Sequence, residues 1–127
     1  MPPTISDELR RFILTSIPSV PYLEALLLLR AEAAHPWDSY RVAGRLYVSE
    51  GQALDLLLAM QQAGIAARAP DGSFAFAPAT PELARLVDAL ATSYSQNLLG
   101  VTDLIHSRVE KRAQKFADAF RWKKEGG

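Results

Sequence analysis

A chain of 127 residues is the size of one domain, and its 49% hydrophobic and 22% charged residues are those of a globular protein, which excludes a disordered chain. There is no cysteine, so disulfides, thiolate metal sites and cysteine nucleophiles are excluded. Formal net charge is zero, yet residues 1–105 hold seven basic and eleven acidic side chains and residues 106–127 hold seven and three, so positive charge is gathered at the C-terminal end.

The opening carries no basic segment followed by a long apolar run, so no secretory signal is expected and the cytoplasm is the default location. Ser6 caps a short amphipathic helix with Asp7 and Glu8 in its first turn and Leu9, Phe12 and Ile13 on one face. Pro18 and Pro21 bracket a turn. The first long helix is expected from Val20 to Ala34 and is nearly apolar all round, as a central helix should be. Its most apolar run, Leu26 to Leu29, is far too short to cross a bilayer, so no membrane association is expected.

His35-Pro36-Trp37 ends that helix. Asp38 or Ser39 then caps a short second helix through Val42, Ala43 and Leu46. Leu46-Tyr47-Val48 is a turn, and Ser49 with Gln52 makes a capping box for a third helix carrying Ala53, Leu54, Leu57, Leu58 and Met60. Gly64 is its left-handed stop. Residues 65–78 alternate as a hairpin whose turn is Pro70-Asp71-Gly72-Ser73.

Thr80-Pro81 starts a further helix. Leu83, Leu86, Val87, Leu90, Tyr94, Leu98, Val101 and Ile105 recur along it at threes and fours. The stripe predicts a helix of about 25 residues, or roughly 38 Å, with Gly100 as a point of bending. Its apolar face suggests a two-fold dimer. Val109, Ala113, Phe116, Ala117 and Phe120 form a last stripe, surrounded by Arg108, Lys111, Arg112, Lys115, Arg121, Lys123 and Lys124.

Helix, short helix, tight turn, helix and hairpin, in that order, make a winged-helix pattern. The stretch LYVSEGQALDLLLAMQQAGI resembles the turn and third helix of bacterial winged helix-turn-helix regulators, and DGSFAFAP looks like the wing. FADAFRWKK looks like the ending of uncharacterised bacterial regulators of that type. The expected fold is therefore mostly α with a small β-hairpin. It comprises a helical extension over 1–19, a winged helix-turn-helix over 20–80, and C-terminal helices over 81–127 that dimerise and carry the basic tail.

The resemblance implies that the third helix, 49–63, enters a DNA groove. That helix has no Arg or Lys, and Glu50 and Asp55 would repel phosphates. Candidate contacts to DNA or a protein partner are Arg41, Arg45, Glu50, Gln52, Asp55, Gln61, Gln62, Arg68, Phe74 and Phe76. The charge pattern favours a regulatory protein that binds another protein; a dimeric DNA-binding regulator is the alternative. His35 and His106 are the only histidines and are remote in sequence, with no metal-ligand spacing and no phosphate loop. No catalytic residue, metal or cofactor is expected. Trp37, Tyr40 and Tyr47 cluster around the short helix, where they either pack it onto its neighbours or form a ligand pocket or an interface.

Overall fold

The computed structural model describes residues 4–107 together with 114, 115 and 117. Among these, six helices and one antiparallel hairpin make the mostly helical fold that the pattern predicts. Most of the helix starts follow directly from side-chain caps. The Leu9 N–H donates to Ser6 Oγ at 3.2 Å to open α1 (Asp7–Ser16), and the Tyr22 N–H donates to Ser19 Oγ at 3.2 Å to open α2 (Val20–Ala31). Asp38 caps α3 (Ser39–Leu46) and Ser49 caps α4 (Glu50–Gln62) in the same way. Each such cap satisfies an orphan backbone donor and is worth about 1 kcal/mol.

α2 is the central helix. Tyr22, Leu23, Ala25, Leu26 and Leu29 are buried, and the helix packs on α3 and α4. It ends three residues earlier than expected. The Glu32 N–H closes the last turn on Leu28 O, and the Glu32 carbonyl accepts from the Trp37 indole at 3.3 Å. The following residues are thereby drawn off the helix axis.

Gly64 has φ +79° and ends α4 as the sequence predicts. A side chain there would also crowd Ala79 at 3.3 Å. The wing is β1 (Ala66–Arg68) paired with β2 (Phe74–Phe76), with Ala67 opposite Ala75. Its turn is held by Asp71, whose carboxylate accepts from the Ser73 hydroxyl at 2.7 Å and the Ser73 N–H at 2.9 Å. These two bonds hold the Asp71 carboxyl below its ordinary range.

Two features of the wing were not legible in the sequence. Trp37 exchanges both backbone hydrogen bonds with Phe74, each at 2.7 Å, and so forms a one-residue third strand. The wing phenylalanines also face inward. Phe74 is 2% exposed and Phe76 is half-buried against the core, so Phe74 is a core residue and not a contact for a partner.

The long C-terminal helix is broken. α5 (Pro81–Gln96) ends at Asn97, and a separate helix, α6, occupies 98–107. The break falls three residues before the expected bend. Asn97 Oδ1 accepts from the Gly100 N–H at 3.0 Å and so caps the new helix. Gly100 contributes by lacking a side chain, since a Cβ there would collide with the Asn97 amide.

The break lets α5 and α6 fold against the rest of the chain. Val87, Leu90, Val101 and Ile105 are completely buried in one cluster with Leu9, Ile13, Leu23 and Leu26. These four are intramolecular core residues, which corrects their assignment to a dimer seam. Arg30 with Asp88 at 2.8 Å and Arg85 with Glu8 at 3.1 Å pin α5 to α2 and α1 from outside. Exposed pairs of this kind contribute at most about 1 kcal/mol each.

Candidate interaction surface on the helix-turn-helix

α3 and α4 pack tightly on one another and turn their remaining faces outward. On α4, Ala53, Leu57 and Met60 point into the core. The 3.6-residue period therefore sends Glu50, Gln52, Asp55, Gln61 and Gln62 outward, and all five are exposed. Leu58, expected on the buried stripe, joins them at 38% exposure. The outward face of α4 carries two carboxylates, three amides and no cation.

The arginines around this face are differently placed. Arg45 lies 3.1 Å from the Glu32 carboxylate, and its guanidinium sits 5.7 Å from the centre of the Trp37 ring. Arg68 on the wing stacks 5.0 Å from the Phe74 ring and donates to Gly72 O at 3.4 Å. Both charges are thus engaged within the chain. Arg41 is exposed, donates to Pro36 O at 3.4 Å, and has no carboxylate partner among the described residues.

Of the two roles open to these aromatics, packing the short helix does not hold for Tyr40 and Tyr47. Tyr40 is 73% and Tyr47 is 94% exposed. Of the three aromatic residues around α3, only Trp37 is buried. Tyr47 also has φ +58°, which for a non-glycine residue is a left-handed and costly conformation. Its N–H still closes α3 on Ala43 O, so the turn needs the geometry although the residue is ill suited to it.

An open groove of about 670 Å³ runs along α3, lined by Trp37, Tyr40, Gly44, Val48 and the charged residues Glu32, Arg41, Arg45 and Glu50. His35 lines one part of it, whereas His106 is exposed on α6. No group of three His, Asp or Glu among the described residues is placed to hold a metal ion. No single helix among them is long and apolar enough to cross a membrane.

Of the expected dimer residues, Leu83, Leu86 and Tyr94 are half-buried and Leu98 is 51% exposed. Leu99, at 72%, is the exposed apolar residue that the stripe did not include. Of the basic tail, Lys115 is helical and exposed. Arg108, Lys111, Arg112, Arg121, Lys123 and Lys124 lie outside the described residues.

The layout of three helices, a tight turn and a wing is that of a winged-helix protein. The structure of a cysteine-to-serine mutant of ZitR from Lactococcus lactis is similar, with a TM-score of 0.50 over 95% of this chain and 80% of that one. Identity is 15%, so the likeness is one of fold. No family model matches the sequence, and no curated protein matches it.

Proposed function

We propose that the chain is a non-enzymatic regulatory protein of bacterial transcription or signalling control, acting in the cytoplasm, whose winged helix is a scaffold for docking a protein partner on the α3–α4 face. The observation that carries this is the charge of that face. α4 presents Glu50 and Asp55 with no cation, while Arg45 and Arg68 are held by Glu32, Trp37 and Phe74. A helix entering a DNA groove must overcome the phosphate charge, and affinity for duplex DNA comes chiefly from cations that displace counterions. Tyr40, exposed on the groove, and Tyr47, exposed in the turn beyond α3, are, in contrast, of a residue type that protein interfaces favour.

A dimeric DNA-binding regulator is the second reading. It is supported by the exposed amides Gln52, Gln61 and Gln62, a residue type that pairs with adenine edges, and by the exposed Arg41. Titration against promoter and random duplexes at low and physiological salt separates the two. The docking reading expects binding that disappears as salt rises. Binding at physiological salt that prefers one promoter by more than about tenfold overturns it.

A further inference from the structure

The wing depends on where Trp37 stands. The N–H and the C=O of Phe74 both meet the Trp37 backbone at 2.7 Å, on the edge of β2 that faces away from β1. Phe74 is 2% exposed, so without Trp37 those two groups would be buried with no partner in their place.

Trp37 is in turn positioned by Glu32 and Arg45. The Glu32 carbonyl accepts from the Trp37 indole at 3.3 Å, and the Glu32 carboxylate accepts from Arg45 at 3.1 Å. The Arg45 guanidinium sits 5.7 Å from the centre of the Trp37 ring and closes the triangle. Access differs along this chain of contacts. Trp37 is 3% exposed, whereas the Arg45 and Glu32 side chains are 54% and 37% exposed and line the groove along α3. Arg41, one helical turn before Arg45, lines the same groove and has no carboxylate partner among the described residues.

We propose that the Glu32–Arg45–Trp37 triangle is a relay from the α3 groove to the wing, worked by a carboxylate of a partner protein. Arg41 and Arg45 together offer that carboxylate two guanidinium groups. Seated between them, it draws Arg45 off Glu32 and away from the Trp37 ring. The indole then loses one of the two contacts that fix it, the Trp37–Phe74 bridge opens more often, and β2 loosens at that edge. An exposed ion pair opens readily, so a modest difference in affinity between the two states shifts the balance. The relay rests on the protein-docking reading for its input and adds to it a response of the wing.

The test is amide hydrogen exchange followed by NMR on the full chain. Arg45→Gln and Glu32→Gln should each speed exchange at the Trp37 and Phe74 amides by about tenfold, while core amides such as those of Leu26 and Leu57 keep their rates. The double variant should be no faster than either single one, because both open the same triangle. Arg85→Gln breaks an exposed pair on α5 and should leave the wing unchanged. Hexaglutamate should speed the same two amides in the unsubstituted chain, and hexaglutamine should not. Arg41→Gln should keep the resting rates and lose the response to hexaglutamate.

Unchanged wing rates in Arg45→Gln, or acceleration spread evenly over the core amides, overturns the relay. Acceleration by random duplex DNA but not by hexaglutamate overturns its carboxylate input. The titration against promoter DNA reports separately on the underlying reading. No response to hexaglutamate together with no promoter preference removes the relay and leaves the docking face, whereas a promoter preference removes both.

Discussion

Gly44 in α3 and Tyr47 in the turn that ends it each lower stability in return for no visible packing. Gly44 sits inside a helix with open space above it. Gly44→Ala should therefore stabilise the protein by about 0.5–1 kcal/mol in urea unfolding. Tyr47 holds a left-handed backbone with its side chain almost fully in water. Tyr47→Gly relieves that conformation and is expected to stabilise by up to about 1 kcal/mol, net of the entropy that glycine adds to the unfolded chain. The sequence places Tyr47 in a turn, but a residue's backbone sign and exposure depend on how α4 leaves that turn, which one sequence does not display.

Two tyrosines supply a pH dependence at the same scale. Burial raises Tyr22 above its ordinary value, and burial followed by the nearby Glu24 carboxylate raises Tyr94. A raised value in the folded state means that the fold favours the neutral phenol. The contribution is fully present below the ordinary tyrosine value and is lost as pH rises through the higher folded values. Stability should therefore fall on the alkaline side, and Tyr22→Phe should flatten that decline in denaturant titrations at increasing pH. An unchanged slope would show that Tyr22 does not take part.

At the scale of elements, the sequence predicts where helices begin better than where they end or break. Ser6, Asp38, Ser49 and Thr80 each announce a start because a cap is a local event of three residues. The break at Asn97 is just as local in chemistry. The apolar stripe nevertheless continues through it, since Leu90, Val101 and Ile105 all reach the same core from two helices. Asn97→Ala removes the cap of α6 and should cost about 1 kcal/mol, seen as a lower urea midpoint.

The wing shows the same limit. Alternation finds β1 and β2, but the pairing of Trp37 with Phe74 joins residues far apart in sequence and has no period to reveal it. Phe74→Ala should cost about 3–5 kcal/mol through the cavity it leaves, whereas Ala67, exposed on β1, should tolerate substitution nearly freely.

At the scale of the whole molecule, burial of Val87, Leu90, Val101 and Ile105 within the chain changes what dimerisation would have to use. The surface remaining to a dimer is Leu83, Leu86, Tyr94, Leu98 and Leu99. A two-fold dimer through this surface remains our proposal for self-association. Leu98→Glu together with Leu99→Glu should leave the fold intact and convert the species measured by light scattering to a monomer. A wild-type chain already monomeric at high micromolar concentration would rule the dimer out. Ending the chain at residue 97 should be far more damaging than ending it at 107, because Val101 and Ile105 are core residues. Thermal melts of the two truncations test that order.

The winged-helix layout, the helix caps, the hairpin turn and the acidic character of the third helix are all local properties. They depend on residues within a few positions of one another or on a simple period, so the sequence determined them unaided. Tertiary structure alone decided which side of each apolar or aromatic residue met the core. It sent Phe74 and Trp37 inward and Tyr40 and Tyr47 outward. It folded the C-terminal stripe onto its own chain, paired Arg45 with Glu32, and left Arg41 and Glu50 unpaired among the described residues around the open floor at Gly44. The physical reason is that burial and charge pairing are set by segments distant in sequence. Composition constrains how much apolar surface must be covered, while the packing of α2, α5 and the wing chooses which residues cover it.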